Sequence, residues 1–167
     1  MSHPIILTAM KSEFACLGGN DNVLLSGIGP ERATAAAERA IADGACGLVS
    51  FGVAGGLVDT VKAGDVVLAD VIVTSDGRRL ATDARWRASF AEVANGLLGG
   101  VMVGSDFGIS TPEAKQQLAE QSGAVAVDME SLAVAKAARD RGLPFLVIRA
   151  VSDTADQDLP SAVFHAI

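Results

Sequence analysis

Ala124-Val125-Ala126-Val127-Asp128-Met129-Glu130-Ser131, continued through an alanine-rich run to Arg141 and then through Gly142-Leu143-Pro144-Phe145-Leu146-Val147-Ile148-Arg149-Ala150-Val151-Ser152-Asp153, reads as strand, helix, strand. The apolar run from Ala124 to Val127 is too short for a helix and predicts a buried strand. A helix is predicted from about Met129 to Arg141, because it ends in basic residues with Gly142 and Pro144 just beyond. The run from Pro144 to Val151 is almost continuously apolar, as expected of a strand covered on both faces. Such a unit builds a parallel sheet with helices packed on it.

The same alternation extends in both directions. Further strands are predicted near Pro4 to Ala9, Asn22 to Ser26, Ala45 to Val53, Gly64 to Thr74 and Gly100 to Gly104, seven in all with the two above. One helix should run from Pro30 to about Asp43, with proline in its first turn, Glu31 beside it and Gly44 as terminator. Another should start at Ser110-Thr111-Pro112-Glu113, where a hydroxyl cap and a first-turn proline coincide, and end near Gln121 before Gly123. A helix is also expected around Trp86 to Ala94, and Ser75 to Arg87 reads as a surface loop. The expected architecture is one α/β domain over residues 1–167, a three-layer α/β/α arrangement with a mixed, mostly parallel central sheet.

Composition narrows the chemistry. Half of the 167 residues are hydrophobic, enough for a core without disulfides or a structural metal. The formal charge of −7 offers no clustered basic face for nucleic acid. No apolar stretch approaches the roughly 20 residues of a membrane span. Ser2-His3-Pro4 lacks the basic start of a secretion signal, so a cytoplasmic location is expected. Cys16 and Cys46 sit far apart in apolar surroundings and are expected to be buried free thiols. The two histidines, His3 and His165, lie near the termini and tyrosine is absent. Acid and base work therefore falls on carboxylates, lysine or bound water, and no zinc spacing is present.

Candidate groups gather where predicted strands end. Gly27-Ile28-Gly29-Pro30 lies between a strand and a helix, where backbone amides can meet an anion or simply turn the chain. It fails as a dinucleotide fingerprint, because the third glycine of that pattern would fall at Arg32. Phe51-Gly52-Val53-Ala54-Gly55-Gly56 follows a buried strand, and ligands of α/β sheets bind at carboxyl ends of strands. Asp128-Met129-Glu130 places two acids around a thioether at the helix start. Charge complementarity with the helix dipole accounts for the acids and not for Met129. Asp153 closes the last strand, and Glu13 follows the first beyond Ala9-Met10-Lys11-Ser12. Three acids and two glycine loops on one edge, without histidine, describe a carboxylate-driven site.

These segments, in this order and spacing across nearly the whole chain, resemble the nucleoside phosphorylase and nucleosidase superfamily. The resemblance implies an enzyme that cuts the N-glycosidic bond of a purine nucleoside and releases the base. It implies Asp153 as the acid that protonates the base, Glu130 and Met129 as the ribose site, and Phe107 and Ser152 as base contacts. Glu13 corresponds to a water-activating glutamate of the nucleosidases, with Arg149 orienting the nucleophile. Gly27, Gly29, Val53, Ala54 and Gly55 would form the loops around that nucleophile. Val53 stands where the family commonly has serine or threonine, so hydrolysis is favoured over phosphorolysis, in which phosphate is a co-substrate. No metal or other cofactor is implied, and a homo-oligomer is.

Asp76-Gly77-Arg78-Arg79, Thr82-Asp83 to Trp86 and Val127-Asp128-Met129-Glu130-Ser131 resemble the hopanoid-associated branch, whose implied substrate is adenosylhopane, an adenine nucleoside with an apolar 5′ tail. Only fourteen residues follow Asp153, where the family fold continues into a further helix. The rival reading from another class is a nucleoside-binding α/β module without catalysis, which would have no need of Asp153 or Glu13.

Overall fold

The computed structural model describes residues 3–74 and 76–159; Ser2, Ser75, His165 and the part of the C-terminal segment beyond Leu159 lie outside them. Its axis is a pair of long parallel strands, β3 (Leu48–Gly56) and β10 (Phe145–Asp153), in register from Leu48 opposite Phe145 to Ala54 opposite Val151. β10 is buried through its first five residues, and β3 alternates buried with half-buried ones from Leu48 to Gly52, so neither exposes a polar face there and both sequences run apolar. The pairing slips once, between Val151 and Asp153, so that Asp153 stands opposite Gly55.

The other edge of β3 is shared. Its first half pairs in parallel with β1 (Ile5–Thr8), Leu7 opposite Ser50, and β1 carries β2 (Val23–Leu25) outside it. Its last two residues pair antiparallel with β9 (Ala126–Asp128), Val127 opposite Gly55. β1 and β9 therefore run toward each other along one edge and both end beside the middle of β3. The chain leaving β1 carries Glu13, and the chain leaving β9 carries Glu130.

The remaining strands complete a mixed, mostly parallel sheet. β8 (Val101–Gly104) lies parallel to β9, and β5 (Val71–Val73) parallel to β8. β4 (Val66–Leu68) lies antiparallel to β10. The expected single strand from Gly64 to Thr74 is thus two strands separated by Ala69-Asp70, and they pair at opposite sides of the strand order, so the sheet curls round on itself. Asp70 makes the break: its amide donates to the carbonyl of Gly100 and its carbonyl accepts from Thr82.

Two short strands were not legible. β6 (Arg79–Ala81) lies inside the expected loop, with only Leu80 of its three residues buried, and β7 (Leu97–Leu98) has two residues. Neither is long enough to show a period.

Alanine explains how the helices fit. α2 (Pro30–Ala42) and α5 (Ser131–Asp140) bury Ala33, Ala37 and Ala40 on one and Ala133, Ala135 and Ala138 on the other, in one core with Leu48, Val147 and Val151. Small side chains let two helices approach each other and the sheet closely. On the opposite face Trp86 and Phe90 of α3 (Ala84–Val93) cover Leu68, Leu146 and Ile148. Asp83 caps α3, accepting the amide of Trp86 at 2.9 Å. α4 (Pro112–Ser122) is capped by Thr111 and stopped by Gly123 at φ 66°, as its sequence predicts.

Two expectations need correction. α5 begins at Ser131, not Met129, because Asp128 accepts the Ser131 amide at 3.1 Å and leaves Met129 and Glu130 in the preceding turn. Cys16, at the end of the short helix α1 (Lys11–Cys16), is exposed and Cys46 is half-buried, since α1 turns this end outward. Close packing also fixes Gly104, where an added Cβ would overlap Leu132 of α5. Gly104→Ala is expected to cost about 1–3 kcal/mol, read from the urea midpoint.

Candidate active site

Between the ends of β1, β9 and β10 lies a cleft of about 680 Å³, including its open mouth, walled by Val53, Ala54 and Gly55 of β3. Glu13, Met129, Glu130, Ser152, Asp153 and Phe107 all reach it, as the sequence predicts. Its lining is mainly apolar, from Met10, Ile28, Ile109, Val127 and Leu159. An apolar cleft with a few convergent polar groups is the usual form of a small-molecule site.

Glu13 is placed by backbone. The first strand ends at Thr8, and one turn into α1 the Glu13 carboxylate bends back to accept from the amides of Ala9 and Met10, both at 2.8 Å on Oε2. Its Oε1 accepts from the amide of Val53 at 3.0 Å across the strand gap. Three amides thus fix a carboxylate that is 7% exposed.

Behind it stands Arg149, 2% exposed on β10. Its Nε and Nη2 both reach Oδ2 of Asp128, at 2.6 and 2.5 Å, and Nη2 also donates to Ser50 Oγ at 2.7 Å. Asp128 also borders the cleft, but its carboxylate is engaged by Arg149 and Ser131. Burial works against the guanidinium charge, but the carboxylates of Asp128, Glu130 and Glu13 outweigh it and raise its pKa above the usual arginine value. Nη1 has no partner. It points to the space over Gly52, where an added Cβ would lie 3.1 Å from Nη1 and overlap the Glu13 carboxylate. Gly52 therefore gives the Glu13 carboxylate its room, with the Arg149 guanidinium close to the same point.

Glu130 sits on the opposite wall, its Oε1 accepting from the Gly29 amide at 2.8 Å. Desolvation, with Asp128 adding to it, raises its pKa above the ordinary 4.5, against the opposing pull of Arg149 and the Gly29 amide. A raised carboxyl favours the folded state below its unfolded value, and that contribution is lost as pH rises through the raised one. Of the predicted nucleophile loops, Val53, Ala54 and Gly55 line the cleft. Gly27 does not: the Arg32 side chain covers it, and Ile28 faces the cleft in its place. Gly29 lies beside the cleft with its amide already engaged by Glu130.

Asp153 is 2% exposed. Its Oδ1 accepts from the Ser152 hydroxyl at 2.6 Å, and Ser152 Oγ also lies 3.2 Å from the carbonyl oxygen of Ala54. Its Oδ2 is 2.5 Å from Nζ of Lys115, a lysine of α4 with no exposed surface. Sequence reasoning passed over Lys115, although a signal was present. It lies three, four and seven residues before Leu118, Ala119 and Ser122, on the half-buried face of α4.

Comparison with known proteins identifies the family and the fold. Residues 13–166 match the phosphorylase superfamily. The 5′-methylthioadenosine/S-adenosylhomocysteine nucleosidase of Shewanella sp. strain MR-7 is 32% identical over 168 aligned residues, 86% of this chain and 71% of that protein. The same nucleosidase from Helicobacter pylori, solved with butyl-thio-DADMe-Immucillin-A, superposes with a TM-score of 0.86 at 27% identity, over 94% of this chain and 87% of that one. A futalosine hydrolase mutant of H. pylori strain 26695 gives 0.85 at 27% identity, over 94% and 88%. The chain belongs to the phosphorylase superfamily and is an enzyme acting on nucleosides.

Proposed function

We propose that the enzyme hydrolyses the N-glycosidic bond of an adenine nucleoside substituted at the 5′ position. The observation that carries hydrolysis is the state of the amides around the nucleophile's place. The Val53 amide is taken by Glu13 and the Gly29 amide by Glu130, both carboxylates. Phosphate would find those donors engaged and two anions beside it, whereas water needs one acceptor and one donor. Glu13 and the unpartnered Nη1 of Arg149 supply these across Gly52.

In this reading Glu13 takes a proton from the water as its oxygen bonds to the anomeric carbon. The C–N bonding pair passes to the base, which gains the proton carried by Asp153. Glu130 accepts hydrogen bonds from the ribose hydroxyls, Met129 packs on the sugar and Phe107, 68% exposed, closes over the base. The carboxylates around the ribose stabilise its developing positive charge. Ile28, Met10, Phe107 and Leu159 give the cleft an apolar lining suited to a 5′-thioalkyl group, or to a longer tail such as that of adenosylhopane.

Free adenine released from methylthioadenosine, S-adenosylhomocysteine, adenosylhopane and adenosine, with and without phosphate, tests the reading. Release independent of phosphate and faster for a 5′-substituted nucleoside is expected. Strict phosphate dependence establishes phosphorolysis instead, and no release from any nucleoside leaves the non-catalytic binding module.

Two variants sharpen it. Gly52→Ala puts a methyl group where the Glu13 carboxylate lies and displaces it, and kcat is expected to fall at least about 100-fold while KM changes little. The ribose hydroxyls need an ionised acceptor, and the Glu130 pKa is raised. KM is therefore expected to rise on acidification while pH is still above the ordinary glutamate value of 4.5. Glu130→Gln removes that acid limb from the KM profile.

A further inference from the structure

The deepest ionisable group near the cleft is a lysine that takes no part in the reaction as described. Lys115 enters from the first turn of α4, and its ammonium is enclosed by three oxygens: Asp153 Oδ2 at 2.5 Å, the Thr154 carbonyl at 2.7 Å and the Gln157 carbonyl at 2.8 Å. An ammonium has three protons, so its capacity is filled and nothing remains for substrate. A buried charge so completely satisfied is held in a fixed place. One of its three partners is the residue read above as the leaving-group acid.

We propose that Lys115 is the positioning residue of that acid, an inference that rests on the reading of Asp153 given above. The ammonium occupies Oδ2, so Oδ1 is the oxygen left to carry the proton and present it to the base. Ser152 is placed to accommodate both states of Oδ1. Its hydroxyl donates to Oδ1 when Asp153 is ionised, and can turn to the Ala54 carbonyl when Oδ1 carries a proton. As the C–N bond breaks, the bonding pair goes to the base and the Oδ1 proton follows it. The carboxylate left behind is the species the fixed ammonium stabilises, without reorganisation at that moment. The grip on Thr154 and Gln157 holds the chain after Asp153 against α4, so the acid cannot swing from the cleft.

The test uses two substrates that differ in their need for an acid. One is the adenine nucleoside that the enzyme cleaves fastest; the other is a 4-nitrophenyl riboside with the same 5′ group, whose leaving group departs unprotonated. Lys115→Met is expected to lower kcat on the nucleoside by about 10²-fold or more, with KM within three-fold, and to leave nitrophenol release within about three-fold of wild type. Lys115→Arg is expected to recover part of the nucleoside rate, since a cation again faces Oδ2. Parallel loss on both substrates makes Lys115 a purely structural residue and overturns the proposal. If Lys115→Met does not fold, the pair Lys115→Met with Asp153→Asn, which removes both charges, replaces it. That pair is expected to match Asp153→Asn alone on both substrates, and any further loss of nitrophenol release overturns the proposal. The two readings fail separately. Full nucleoside rate in Asp153→Asn removes the acid itself; full rate in Lys115→Met, with Asp153→Asn impaired, removes only the role of Lys115.

Discussion

Glu13→Gln is expected to lower kcat for base release by about 10²- to 10⁴-fold, the range associated with loss of a positioned general base. The carboxylate has two features that a base for water needs. It is held in one orientation by the amides of Ala9, Met10 and Val53, and it faces the free Nη1 of Arg149 across Gly52. Glutamine keeps the shape and loses the basicity. KM should change by less than about five-fold, because the proposed function puts Glu13 on the nucleophile's side and gives the ribose contacts to Glu130. Steady-state kinetics on the preferred nucleoside decides it: a variant retaining more than a tenth of the wild-type kcat means that another group activates the water.

Asp128→Ala is expected to be the most destabilising of these substitutions, at about 3–5 kcal/mol, the range for breaking a buried pair from one side. Asp128 Oδ2 holds both Nε and Nη2 of Arg149, and its carboxylate also accepts from the amide and hydroxyl of Ser131 at the start of α5. Its removal leaves an arginine in the core with Ser50 alone. The two-sided replacement, Asp128→Leu with Arg149→Met, is expected to recover much of the stability and none of the activity. Urea unfolding compared across the three proteins tests this, and a single-variant loss below about 1 kcal/mol would show that Arg149 finds water or another partner.

The parts of the fold and site that were legible share a cause. Strands and helices followed from local period and caps, as at Pro30, Thr111-Pro112 and Gly142. Glu13, Glu130 and Asp153 stood out because each follows the end of a predicted strand, and strand ends of such sheets gather on one rim. What stayed hidden depends on which side chains meet across the sheet. Ser50 and Arg149 are 99 residues apart, Asp128 and Arg149 are 21, and Lys115 and Asp153 are 38. Asp128 and Glu130 look alike in sequence, yet at the strand end one is engaged by Arg149 and Ser131, while in the turn the other meets the Gly29 amide. Lys115, with Glu113, Gln116 and Glu120 around it, has the composition of a solvated helix. Its burial follows from the docking of α4 on the Thr154–Gln157 turn, of which local sequence carries only its spacing from Leu118, Ala119 and Ser122. The expected strand from Gly64 to Thr74 failed because curling of the sheet, not hydrophobicity, breaks it at Asp70.

The slipped pairing between Val151 and Asp153 makes the chemistry of this enzyme a matter of counting. Strand faces alternate residue by residue, so a single surplus residue, here at Ser152, resets which side chain arrives opposite Gly55. A sequence one residue shorter at this point would keep every apolar neighbour of the long strand and most of the stability they provide. It would bring the aspartate opposite Gly55 with no bulge and without the Ser152 hydroxyl that donates to its carboxylate.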